Sequence, residues 1–172
     1  MAKKISFLGI MLALMTVLTT LESFFVAAIP ILPPHFKPGL ANIVVMYCAL
    51  AEGRRRAVAL NVLKALFVFA IRGPAAGLLS FAGGLLSVLV VIFLSRALAK
   101  KRMSYQGVSI FGALAHNFGQ YAVVVPMMGL TFPHLLFYFP VLIVSGVVMG
   151  FLTGTVLSVL MPVFLQRFNV KK

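Results

Sequence analysis

From Ala76 to Leu98 the chain carries a single charged residue, Arg96. This run constrains the fold more than any other feature. Wound as an α-helix it is about 35 Å long, enough to cross the roughly 30 Å of a bilayer's hydrocarbon core. The rest of the sequence agrees with it. Only 10% of the 172 residues are charged, against about 25% in a soluble domain, and the mean hydropathy is +1.13. These values predict an all-α integral membrane protein forming a single transmembrane domain over residues 1–172.

Hydropathy and breaker residues predict six membrane helices, at about Ile5–Ile29, Leu40–Leu50, Ala57–Ile71, Ala76–Leu98, Gly107–Met128 and His134–Phe164. The first resembles a secretory signal, but its apolar stretch exceeds the 7–15 residues of a signal core, so it reads as a membrane helix. Four prolines in "PILPPHFKPG" end it. The second segment is short for a span, and the sixth is expected to break or bend near Pro140 and Pro162.

The formal charge of +13 would suggest nucleic acid in a soluble protein. Here the cations cluster between apolar segments, which points to topology and anionic lipid instead. Lys3, Lys4, Arg54, Arg55, Arg56, Arg96, Lys100, Lys101, Arg102, Arg167, Lys171 and Lys172 fall on one side. Lys37 and Arg72 fall on the other, and Lys64 lies within the third segment. The positive-inside rule therefore places both termini in the cytoplasm.

The chain offers little for catalysis. Cys48 is its only cysteine, so neither an internal disulfide nor a multi-cysteine metal site forms. It has no aspartate, and Glu22 and Glu52 are its only acids. No GxxxxGK[ST] phosphate loop occurs, and no set of acid, base and nucleophile surrounds His116. No catalytic residue, cofactor, metal or nucleic-acid partner is expected.

Polar residues inside apolar segments carry the functional signal, because charged and amide groups at bilayer depth need partners. In "GALAHNFGQ", Gly112, His116 and Gln120 fall at i, i+4 and i+8 on one stripe, with Asn117 beside it. That face must look into the bundle, either as interhelical hydrogen bonding or as the wall of a solute site. Glu22 and Arg72 lie at the outer ends of their helices, as a structural ion pair or as a ligand-contacting pair at the mouth of a cavity. Lys64 lies roughly 10–12 Å inside its helix, one turn beyond Asn61. It is either satisfied internally or contacts an anion. "PGLANIV" starts a helix at Asn42, and its free N–H groups form a candidate anion seat. Gly146, Gly150 and Gly154 form an i, i+4 stripe suited to close helix packing.

The segments "LES", "KPGLANIV", "GP…LLSFAGGLLS", "GVSIFGALAHNFGQ" and "YFPVLIVSGVVMGFLTG" occur in an order that resembles the membrane family called heptaprenyl diphosphate synthase component I, or Gx transporter family. That family is related to the substrate-binding S-components of energy-coupling factor (ECF) transporters. The resemblance covers roughly residues 5–165. Pro38 stands where an aliphatic residue is usual, and Lys64 where an arginine is usual.

The resemblance implies a six-transmembrane-helix bundle like an S-component, with a solute site open to the outside and residues 30–38 as its lid. Asn42, His116, Asn117 and Gln120 would form the wall, with Glu22 and Arg72 near the mouth. Gly9 and Ala13 would contact a transmembrane coupling subunit served by cytoplasmic ATPases. The expected role is a multi-pass subunit of a bacterial inner or plasma membrane that binds a small vitamin-, flavin- or isoprenoid-related solute. The rival is a non-catalytic accessory subunit of polyprenyl-quinone biosynthesis or of flavin- and quinone-linked electron transfer. A lipid-packing scaffold is the third option.

Overall fold

The structure, a computed structural model, describes residues 2–27, 39–129 and 132–167. The expected lid over residues 30–38, with Lys37 and Pro38, lies outside the described residues, as do Lys171 and Lys172. Every regular element described is a helix: α1 Ala2–Ala27, α2 Ala41–Tyr47 with a π-helical continuation Cys48–Glu52, α3 Arg54–Arg72, α4 Pro74–Ala99, α5 Tyr105–Met128 and α6 Phe132–Arg167.

The helices start and stop for local reasons. α3 takes Arg54, Arg55 and Arg56 into its first turn, ahead of the expected start at Ala57, so Gly53 alone, at φ +107°, makes the turn before it. α3 and α4 are separated by one residue, Gly73. Its φ of +88° is a conformation that side chains rarely adopt, and Pro74 then starts α4 with a φ already helical. Ser104 caps α5 by accepting the Gly107 N–H at 3.1 Å. α6 is one continuous helix through Pro140 and Pro162, rather than an interrupted one. In an apolar bundle, neighbouring groups take up the carbonyls that a proline frees, and the helix continues.

Among the described residues, Pro74–Ala99, Tyr105–Met128 and Phe139–Val163 are long and apolar enough to cross a membrane, while Ser6–Glu22 and Ala41–Glu52 are shorter apolar stretches. Large apolar side chains cover the outside. Phe93 is 79% exposed and Phe24 70%, an arrangement stable where the surrounding solvent is hydrocarbon.

Glycine sets the spacing of the helices. A Cβ on Gly119 of α5 would lie 2.6 Å from the Ala82 carbonyl oxygen and 2.8 Å from Gly83 Cα of α4. On α6, a Cβ on Gly146 would lie 2.8 Å from Leu114 Cδ2, one on Gly150 2.5 Å from Ile110 Cα, and one on Gly154 2.6 Å from Gln106 Cα. Gly150 and Gly154 therefore ride on the α5 backbone and Gly146 on the Leu114 side chain, as small-residue packing in membranes requires. α2 is enclosed by the other helices. Ala41 and Ile43–Ala49 are buried, against Met11 and Met15 of α1, Leu60 of α3, Val88 and Val91 of α4, and Leu157 of α6.

Gly150→Ala should lower stability by about 1–3 kcal/mol, because the clashing atoms are backbone and cannot swing aside. Gly9→Ala, with nothing within 4 Å of the added Cβ, should leave it unchanged. Cys48 is fully buried, so the midpoint of thiol labelling on heating reads both variants.

Candidate functional site

The site grows from the start of α2. A helix end leaves backbone N–H groups without helical partners, and inside an apolar bundle each must be satisfied. Gly39, at φ +81°, turns the chain so that its carbonyl accepts the Asn42 N–H at 2.9 Å, while Leu40 O accepts the Ile43 N–H at 3.0 Å. The Ala41 N–H donates to Glu22 Oε1 of α1 at 3.3 Å. The anion at this helix start is thus the protein's own: Glu22, only 4% exposed, takes the place that the sequence suggests for a bound anion. A carboxylate there also meets the positive end of the α2 dipole.

Lys64 of α3 serves the same turn. It is buried, and its ammonium donates to Asn42 Oδ1 at 2.8 Å. Glu22 and Lys64, from two different helices, therefore hold consecutive residues of α2. The side chain of Asn42 is oriented from behind, and it faces a cavity in front.

That cavity is lined by Asn42 and Met46 of α2, Ser87 of α4, Ser109, His116 and Asn117 of α5, and Ser145, Met149 and Thr153 of α6. Four helices supply its polar groups. Ser109 Oγ and Thr153 Oγ1 are 2.8 Å apart and hydrogen-bonded. Asn117 Nδ2 donates to Leu142 O of α6 at 2.9 Å and lies 3.4 Å from Ser145 Oγ. The interhelical use of Asn117 is therefore real, at the same place where it lines the cavity. The free volume is about 20 Å³, room for one or two waters.

The structure brings Asn42, His116 and Asn117 together and leaves the other sequence candidates apart. Gln120 shares the His116 stripe but passes over Gly83 of α4, whose added Cβ would meet Gln120 Cγ at 2.7 Å. It does not line the cavity. Glu22 stands behind the cavity at the start of α2. Arg72 is exposed at the end of α3, beside a shallow groove with Thr19, Thr20 and Phe24 of α1. Gly9 and Ala13 lie on the exposed face of α1, among Ile10, Leu14 and Val17.

Ser87, Ser109, Ser145 and Thr153 were not singled out by the sequence. Their signal was present but weak. Ser109, Gly112 and His116 recur at helical spacing on one face of α5, and Ser145 and Thr153 flank the α6 glycine stripe. Serine and threonine satisfy themselves on their own helix, as Thr153 Oγ1 does with Met149 O at 2.8 Å, so nothing in the sequence marks them as converging.

The site holds neutral donors and acceptors in front and a charged pair of residues behind. Among the described residues no group of three or more His, Cys, Asp or Glu gathers to hold a metal. What fold and site define is an all-helical, membrane-compatible protein with a small polar cavity between its helices. The chain belongs to the heptaprenyl diphosphate synthase component I family, whose model matches residues 11–160. The family's name marks its members as one component of a larger system. No curated protein and no solved structure matches the chain.

The bond between Lys64 and Asn42 should appear as coupling. Asn42→Ala and Lys64→Met are expected to be non-additive by about 1 kcal/mol or more, because each removes one partner of a buried charged hydrogen bond. Thermal midpoints of the two single variants and the double variant measure it.

Proposed function

We propose that the protein is a solute-binding membrane subunit of the S-component type. One observation carries this reading: Asn42, Ser87, Ser109, His116, Asn117, Ser145 and Thr153 converge from four helices on one interior cavity, in a chain of mean hydropathy +1.13. Polar groups are costly at bilayer depth, and a shared cavity gives them a common use. Asn42, His116 and Asn117 contact the solute. Glu22 positions α2 from behind, and Gln120 and Arg72 sit at the periphery.

The chain forms a single transmembrane domain with six helical passes, the second of them short, and with both termini on the cytoplasmic side of a bacterial inner or plasma membrane. Arg54, Arg96, Lys100 and Arg102 around one groove support a common side for the basic loops. Gly9 and Ala13 lie on an unburied apolar face of α1, where Ile10 is 64% exposed and Val17 54%. This supports contact with an ECF-type coupling subunit that works with cytoplasmic ATPases. The protein is not itself an enzyme. Prenyl diphosphate chemistry needs acids to hold Mg²⁺ against diphosphate, and Glu22 and Glu52 are the only two in the chain.

The rival reading is an accessory subunit of polyprenyl-quinone biosynthesis or quinone-linked electron transfer. The free volume of about 20 Å³ favours it, since small-molecule pockets run to about 300–1,000 Å³. In the solute-binding reading this is a closed state, which opens as α6 and α2 separate.

Native mass spectrometry of the gently purified protein tests the two readings. A retained water-soluble solute, lost in His116→Ala while the thiol-labelling midpoint of Cys48 stays in place, is the expected result. Retention of only a prenyl chain or quinone, or loss of binding solely through loss of folding, would sink the solute-binding reading.

A further inference from the structure

A second site lies at the opposite kind of location, on the surface at the end of α4. Ile92, Phe93, Leu94, Arg96, Lys100 and Arg102, with Arg54 from the start of α3, line an open groove of about 440 Å³. That is more than the interior cavity offers, and it falls within the usual range of a ligand site. We propose that this groove binds an anionic phospholipid, with the phosphate among the four cations and an acyl chain along Phe93.

Three observations support the site. The first is the local fold that builds it. α4 ends with the Arg102 N–H donating to Ala97 O and the Lys101 N–H to Leu98 O, both at 2.9 Å, and with Lys101 at φ +55°. This is a left-handed helix cap on a residue other than glycine. It folds the chain back over the helix end, so that Arg102 joins Arg96 and Lys100 around one groove instead of trailing away.

The second is charge. Four cations line the groove and no acid does. The chain holds only two acids. Glu52 is paired with Arg56, and Glu22 accepts from Ala41. No carboxylate among the described residues neutralises the groove, so a bound anion would come from outside. The third is the apolar wall. Phe93 is 79% exposed and lies about 10 Å along the helix from Lys100. Cations at one level and an aromatic and aliphatic wall roughly two turns away match a headgroup and the chain beneath it. A soluble phosphate would use the first and leave the second bare.

The test uses the full chain in mild detergent, titrated by native mass spectrometry with phosphatidylglycerol and with phosphatidylcholine of the same acyl chains. The unmodified chain should retain phosphatidylglycerol at least about tenfold better. Each Lys or Arg near an anionic lipid contributes on the order of 1 kcal/mol, so R96Q/K100Q should lose roughly thirtyfold. R55Q/K101N removes the same charge outside the groove and should lose little. Phe93→Ala should weaken both lipids. If R96Q/K100Q fails to fold, as read by Cys48 labelling, the single change Arg102→Gln must move in the same direction. Equal binding of the two lipids, equal loss in R55Q/K101N, or displacement of the lipid by an equal concentration of inorganic phosphate would each overturn the proposal.

Discussion

The start of α2 is the point on which the interior depends. The α2 segment has seven α-helical residues and five π-helical ones, about 18 Å, so as a short pass it starts within the bundle rather than at the far face of a hydrocarbon layer of about 30 Å. Its first N–H groups open into the bundle, where the protein's own groups satisfy them. Glu22 meets the Ala41 N–H and Lys64 meets the Asn42 side chain. Two charged residues on separate helices thereby fix α1 and α3 to α2. The orientation of Asn42 toward the cavity follows from that clamp.

The glycine contacts on the other side of the cavity do the complementary work. Gly83 and Gly119 bring α4 and α5 into backbone contact, and Gly150 and Gly154 do the same for α5 and α6. Helices this close leave little space between them, which is why the cavity among them is small. Its α6 wall is also the least encumbered by charge, held by Asn117 and the Ser109–Thr153 pair. Single hydrogen bonds between membrane helices are worth about 0.6 kcal/mol on average, so this wall is held more by its glycine packing than by its polar contacts. The α2 wall is instead tied by charged groups, Glu22 and Lys64.

The interior cavity and the groove at the end of α4 differ in every physical respect. One lies between helices, small and lined by neutral groups in front of a Glu22 and Lys64 layer. The other is open, larger and cationic above an aromatic wall. A lipid in the groove would bridge the start of α3 to the end of α4. It would brace the helix that carries Lys64 against the helix that carries Ser87, and so connect the membrane's composition to the rigid side of the cavity.

The sequence determined the class of the protein. Its apolar runs, its scarcity of charge and the position of its breakers specify an all-helical, membrane-compatible chain, because those properties act locally and along one helix at a time. It also marked Asn42, His116 and Asn117, since an amide or imidazole inside an apolar run is conspicuous. Gln120 shares the His116 stripe yet lies over Gly83, and the anion seat that the sequence suggests at the start of α2 is where Glu22 sits. The convergence of Ser87, Ser109, Ser145 and Thr153, the reach of Lys64 to Asn42 across 22 positions, and the return of Arg102 over its helix end were decided only by the tertiary structure. Periodicity fixes which face of a helix a residue occupies, but which face of which neighbour it meets depends on how closely the helices approach, and that distance is set by pairs of glycines far apart in the chain.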